Sequence, residues 1–171
     1  IVLSSRIRLA RNLKDYAFPI LSSLNQSKEV TDYTVDALTN APNEQIGSID
    51  TLYMEELKSN EKRVLVEKHL ISPHLAEQSK HGAVLLNKDE SLSIMINEED
   101  HLRIQCLFAG SQLENGLDIA QSVDDWVEEH LTYAYDEKRG YLTSCPTNVG
   151  TGMRASVMMH LPALAMTQQI N

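Results

Sequence analysis

The sequence predicts an α+β fold in which helices flank an antiparallel β-sheet. Short apolar stretches of period two follow one another between residues 83 and 110, with only brief polar turns between them. Helical patterns are grouped before and after that run instead of alternating with single strands. A further period-two segment opens the chain. The alternative, a doubly wound α/β sheet, calls for a strict strand–helix alternation that is missing here.

Taken in order, IVLSSRIRLARN (1–12) turns Leu3, Ser5, Ile7 and Leu9 to one side and Ser4, Arg6, Arg8 and Ala10 to the other, as in a half-buried strand. SKEVTDYTVDALTN (27–40) suits a helix with Ser27 as N-cap, and Pro42 lies just beyond its end. DTLYMEELKSNEKRVLVEKHL (50–70) reads as a second helix, or as two joined near Ser59 and Asn60. Ser72-Pro73 breaks it, and a short helix follows. AVLLN (83–87), SLSIMIN (91–97) and HLRIQCLFAG (101–110) read as successive strands of a meander, separated by NKDE and NEED.

From Leu113 to about Tyr135 a long amphipathic helix carries Leu117, Ala120, Val127, Leu131 and Ala134 on one face. A second row, Ile119, Val123 and Trp126, implies broad packing on the sheet. Strand character resumes at Tyr141–Ser144 and Met153–Leu161, and Pro162 opens a last helix.

The 171 residues suit one domain, 1–171, without internal repeats. Both ends read as cut, inside an apolar run at the start and in the first turns of a helix at MTQQIN, so a domain incomplete at both ends is expected. A net charge of −9 argues against a general nucleic-acid or membrane-surface binder, since either needs a basic face. Any anion site must then be a local concentration of arginines. Cys106 and Cys145 are too few for a disulfide framework and fit a reducing, cytoplasmic setting. Neither CxxC nor a paired histidine spacing is present, so no metal site is predicted.

Three predicted strands each set arginine opposite an apolar row: Arg6 and Arg8 in the first, Arg103 beside His101 and Gln105 in the third meander strand, and Arg154 with Ser156 and His160 in the last. Singly, each arginine could pair with a nearby carboxylate. In one sheet, four guanidinium groups would crowd one polar face, an arrangement that a bound polyanion stabilises.

Glu99 belongs to the acidic turn 97–100 and starts out on the Arg103 side; it is either a solvated turn residue or a carboxylate that holds a cation or takes its proton. Cys145 stands beside Pro146, before a glycine turn and Arg154, either as a small buried thiol or as a partly exposed, reactive one. Cys106 falls on an apolar face and reads as core. Gly150 and Gly152 would let backbone approach a bound ligand closely.

SSRIR (4–8), NEEDHLR (97–103) and CPTNVGTGMR (145–154), in that order, resemble the motifs of the phosphagen (guanidino) kinase family, and the likeness spans almost the whole chain. RIRLARNLKDYAFP and RASVMMHLPAL are similar to the bacterial protein arginine kinases within it. The resemblance implies transfer of the γ-phosphoryl of ATP, with Mg²⁺, to a guanidinium nitrogen of arginine side chains in proteins. It also implies marking of those proteins for Clp-type proteolysis, control of a heat-shock repressor, a zinc-binding activator protein, and a homodimer formed through a C-terminal part beyond Asn171.

Position by position, the resemblance makes Ser4, Ser5, Arg6, Ile7 and Arg8 nucleotide contacts, with Arg6 and Arg8 on phosphates. It places His69 near the nucleotide, Arg103 and Arg154 on phosphates, and Ala155, Ser156, Val157 and Met158 along the nucleotide. Glu99 becomes the catalytic carboxylate and Cys145 the reactive cysteine beside the guanidinium. A last phosphate-binding loop and a second substrate carboxylate are expected beyond Asn171, so the 171-residue chain alone should be poorly active. The rival readings are a kinase for a free guanidine such as arginine or creatine, and a non-catalytic module that binds nucleotide or phosphoarginine.

Overall fold

The computed structural model describes residues 1–41, 43, 46–167 and 169. Its strands are β1 (Val2–Arg11), β2 (Ile49–Tyr53), β3 (Ala83–Asn87), β4 (Leu92–Ile96), β5 (Leu102–Ala109), the short β6 (Tyr135–Asp136) and β7 (Gly140–Tyr141), and β8 (Met153–Met159). The helices are α1 (Leu24–Thr39), α2 (Ser59–Glu67), α3 (Pro73–Gln78), α4 (Leu113–His130) and α5 (Pro162–Met166). Six strands form one sheet in the order β2-β3-β4-β5-β1-β8, and every neighbouring pair is antiparallel. The α+β expectation and the central meander therefore stand.

Several boundaries differ from the sequence reading. Helix α1 begins three residues before the expected cap, because Ser23 and Gln26 form the capping box: Gln26 N donates to Ser23 Oγ (3.3 Å) and Ser23 N donates to Gln26 Oε1 (3.0 Å). Ser27 lies inside the helix, buried, its hydroxyl 2.7 Å from that of Ser22. The Pro42 stop signal lies outside the described residues.

The expected helix over 50–70 is an edge strand followed by α2 alone. Residues 49–53 pair along β3 from Ile49↔Asn87 to Tyr53↔Ala83, and that pairing overrides the helical pattern. Helix α4 stops at His130, short of Tyr135: Leu131 turns extended, and Tyr133 and Ala134 run back to pair with Leu13 and Asn12. Strand pairing ends at Tyr141 and Met159, earlier than expected at both places.

The sheet's two faces are treated differently. On one, Ile7, Leu9, Ile94, Ile96, Leu102, Ile104 and Cys106 pack under α1 and α4, against Val30, Leu38, Val123, Trp126 and Val127. On the other, Val84, Leu86 and Met95 are roofed by Met54, Leu70, Ile71 and Leu75 around α2 and α3. Strand β4 is buried on both sides as a result. The second roof covers the β2–β4 side of its face and leaves β1 and β8 without a helical cover, so that is where a polar site can form.

Candidate active site

Antiparallel register decides which residues share the open face. Arg8 pairs with Arg154 of β8 on one side and Gln105 of β5 on the other, Ala10 pairs with Arg103, and Arg6 pairs with Ser156. Since directly paired residues point the same way, Arg6, Arg8, Arg103 and Arg154 lie on one face, as the alternation predicts. Arg8, Arg103, Arg154 and Glu99, with Ala10, Asn148 and Gly152, line a single narrow cavity of about 40 Å³.

Electrostatics registers the crowding. Burial first, then the guanidinium of Arg103, lower the pKa of Arg6. Burial, then Arg6, Arg103 and Arg154, bring Arg8 from the usual guanidinium range down to about 10, against the pull of Glu98. At about 10, Arg8 remains cationic at neutral pH. Arg6 Nε donates to Ser156 Oγ (3.3 Å), while the buried Nε of Arg8 has no hydrogen-bond partner among the described residues. A buried, unpartnered donor among like charges is a place for an anion to settle.

Each polar member of the acidic turn except Glu99 is committed to structure. Asn97 adopts φ 57° and donates through Nδ2 to Ser27 O (2.7 Å) and Thr31 Oγ1 (2.9 Å). Glu98 is buried and clamps Arg103, with Nη1–Oε1 at 3.0 Å and Nη2–Oε2 at 2.8 Å, while Ser72 Oγ donates to it (2.8 Å). Asp100 Oδ1 accepts from Asn12 Nδ2 (2.7 Å) and Ser144 N (2.6 Å). Glu99 is half exposed; its one ion-pair contact among the described residues is Arg103 Nη2 at 3.7 Å. Of the turn's carboxylates, Glu99 is the one that the fold engages least. Glu99 also lines a second, larger cavity of about 510 Å³, whose other walls include Pro19, Ile20, His74, Lys80 and Ser144.

The cysteine loop is knitted to both groups. Ser144 Oγ donates to Glu99 O (2.8 Å), next to the half-buried Cys145, whose Sγ lies 3.0 Å from Thr147 Oγ1. Arg154 donates to the same Thr147 Oγ1 (3.2 Å) and to Asn148 Oδ1 (2.9 Å). Thr147 thus bridges the thiol and the guanidinium. Cys106, by contrast, is sealed in the core, where burial pushes its thiol up to about 12.

Other predicted residues are placed less directly. Ser4 and Met158 pair with each other on the arginine face, but Ser5, Ile7, Ala155 and Val157 point to the opposite face. Ser5 is fully buried there, donating to Gly110 O (2.6 Å) and accepting from Gln112 N (2.9 Å). These four can meet a ligand on the arginine side only through backbone. His69, exposed and at φ 61°, offers its carbonyl to Gln105 Nε2 (2.6 Å), which ties the end of α2 to the strand beside Arg8.

Gly152 is needed for a different close approach than the sequence suggested. At φ 63°, a Cβ there would sit 2.5 Å from Ala10 O and from Arg11 Nη1, so it is β1 itself that comes close. Sequence reasoning missed Glu98, Asp100 and Ser144; their only local signal was polarity inside a motif.

Comparison with known proteins gives the family. The family ATP:guanido phosphotransferase, C-terminal catalytic domain, matches residues 29–171. A protein-arginine kinase of Shouchella clausii is 67% identical over 170 residues, covering 99% of this chain and 48% of that protein. One from Halalkalibacterium halodurans is 64% identical over 171 residues, covering 100% of this chain and 48% of that protein. The chain spans about half the length of these curated relatives. The match to them includes β1, which precedes the family match.

Among solved structures, the duplicated taurocyamine kinase of Schistosoma mansoni superposes with a TM-score of 0.87 at 23% identity, covering 98% of this chain and 25% of that one. A lombricine kinase gives 0.82 at 23%, covering 96% and 49%. At that identity the likeness concerns the fold alone. A family match over most of the length, joined to relatives above 60% identity, makes this chain a member of the ATP:guanido phosphotransferase family.

Proposed function

We propose that residues 1–171 form part of the catalytic domain of an ATP-dependent kinase that phosphorylates arginine side chains in proteins. The observation that carries this reading is the position of Glu99, on the wall of the arginine-lined cavity and of the larger cavity beside it. The narrow cavity offers arginines to phosphate oxygens and the larger one has room for an incoming cation, with a carboxylate between them.

The fit to a nucleotide rests on the unpartnered Arg8 Nε and on the absence of carboxylate ion pairs for Arg6, Arg8 and Arg154 among the described residues. Arg6, Arg8, Arg103 and Arg154 would hold its phosphates, with Ser4, Ser156 and Met158 along the same face. Backbone of Ser5, Ile7, Ala155 and Val157, and the exposed His69, would contribute at its margins. Bound ATP with Mg²⁺ supplies the phosphoryl group and part of the charge neutralisation. Mg²⁺ would be bound through the nucleotide's phosphates.

An arginine guanidinium is protonated in water and its nitrogens are poor nucleophiles. Glu99 would grip it by paired hydrogen bonds, set its direction and accept a proton at a carboxylate oxygen. Glu98 keeps Arg103 in place and partly neutralised, and Arg103 reaches Glu99 only at 3.7 Å, against 2.8 Å to Glu98. Cys145 would face the bound guanidinium and tune its charge, without forming a covalent intermediate. Positioning and electrostatics would then do nearly all of the work.

The protein-level acceptor follows the names of the curated relatives. The same reading carries a cytoplasmic location, Clp-type proteolysis of the marked proteins, control of a heat-shock repressor, a zinc-binding activator and a homodimer. Among the described residues no helix is long and apolar enough to cross a membrane.

The deciding experiment incubates the full-length protein with MgATP and either free arginine or an unfolded protein, then looks for acid-labile phosphate on protein arginines. Phosphate on free arginine alone would transfer the assignment to a small-guanidine kinase. Nucleotide binding with no turnover on either acceptor would leave a binding module.

A further inference from the structure

We propose that Arg11 is a positioning residue: from the core side of the sheet it fixes the loop before β8 and thereby sets Arg154 opposite Arg8. Register puts Arg11 on the face of Leu9 and Ile7, away from the arginine cluster. It is 3% exposed, and all three of its guanidinium nitrogens donate hydrogen bonds. Nε and Nη2 grip Asp124 of α4 at 3.1 and 2.6 Å, while Nη1 donates to Ala10 O and to Thr151 O, both at 2.8 Å. Tyr141 covers the group, its ring centroid 3.7 Å from Cζ, and Tyr133 donates to Asp124 Oδ1 (3.0 Å).

Thr151 is the link to the site. Arg154 lies three residues further on, on an edge strand paired with β1, exposed, and among the described residues its side-chain hydrogen bonds go only to Thr147 and Asn148 within the same loop. Those bonds move with the loop and cannot place it. Placement comes from β1 and β7: Ala10 N to Gly152 O (2.8 Å), Tyr141 paired with Gly150 (2.9 and 3.2 Å), and the Arg11 fork on Thr151. Lysine, a point charge, cannot hold a carboxylate bidentately and two carbonyls at once.

The inference rests on the nucleotide reading above. A purely structural Arg11 would lower stability and leave affinity per folded molecule unchanged; a positioning Arg11 changes affinity in molecules that remain folded. The test uses the full-length protein, with the folded fraction measured by thermal melting, MgADP affinity by calorimetry, and KM for ATP separately from kcat.

Arg11→Lys should weaken MgADP and raise KM about tenfold, the equivalent of one charge-assisted hydrogen bond, with a smaller change in kcat. Tyr141→Leu removes the stacking on Arg11, along with the Tyr141 hydroxyl's bond to Glu128 (3.3 Å) and its ring contacts with Tyr133 and Tyr135, but leaves every Arg11 hydrogen-bond partner in place; it should shift affinity in the same direction, which keeps the test valid if the lysine variant does not fold. MgADP binding within about twofold of wild type in every variant that folds overturns the proposal. Wild type binding no better than Arg154→Ala would instead sink the nucleotide reading itself, and this inference with it.

Discussion

Arg8 and Arg11 are three residues apart on one strand, both largely withdrawn from water, and they live in opposite electrostatic worlds. Arg11 points into the core and is neutralised by Asp124, two backbone carbonyls and an aromatic ring. Arg8 points to the open face, meets three other guanidinium groups, and leaves a buried N–H without a partner. The first is an arginine whose interactions the fold has completed. The second is one the fold has left incomplete, held in place by a sheet that tolerates the repulsion. Residue type does not separate structure from site; completeness of pairing does.

The comparison can be broken at several points. The largest effect should come from Glu99→Gln in the full-length protein, which removes the proton acceptor but keeps the shape: phosphoryl transfer should fall by about a hundredfold to ten-thousandfold, with an unchanged melting temperature. Wild-type turnover in that variant would remove Glu99 from the chemistry. Asp124→Ala strands Arg11 as a buried, unpaired charge and should destabilise the fold by about 3–5 kcal/mol in a urea titration. Arg8→Ala should cost about 0.5 kcal/mol or less, and relief of repulsion could make it a gain. A large loss there would mean that Arg8, like Arg11, serves the fold.

A titration sharpens the picture further. His101 Nδ1 accepts from Leu13 N (3.0 Å) and Nε2 donates to Ala17 O (3.0 Å), so the folded protein requires a neutral ring. Burial lowers its pKa to about 4, with the Ala17 hydrogen bond and Asp100 opposing. As pH falls from about 6.5 to about 4, the unfolded chain takes up a proton that the folded one refuses. Stability should therefore drop over that window by on the order of 2–3 kcal/mol and level off below it. Guanidinium titrations at fixed pH, compared with His101→Gln, would detect it; the same slope in both proteins would acquit His101. The smallest effect belongs to the exposed pair Lys68–Glu90 (2.8 Å): Lys68→Ala should change stability by about 0.5 kcal/mol or less.

Much of this was legible beforehand, for reasons particular to each element. The alternation in 1–12 and 101–110 placed three of the four arginines on the polar sides of their strands, and the meander strands announced themselves by period and turn. The structure departs from the Ser27 cap and from the first part of the helix expected over 50–70 because a better capping box lies upstream and because strand β3 has a free edge to fill. Glu98 and Glu99 are adjacent and chemically identical, and no local signal says that one is buried and clamps Arg103 while its neighbour stays half exposed with a single longer contact to it.

The sequence by itself determined the pattern of faces, the helix and strand inventory in outline, and three motifs carrying arginines, a carboxylate and a cysteine. Those are local properties, set by side-chain spacing along a few residues of backbone. Only the tertiary structure decided that β5, β1 and β8 lie side by side, that Asp124 reaches Arg11 across 113 positions, and that Asp100 meets Asn12 across 88. Pairing partners so distant along the chain leave no trace in local periodicity. Which charges are neutralised and which are left waiting is settled by packing alone.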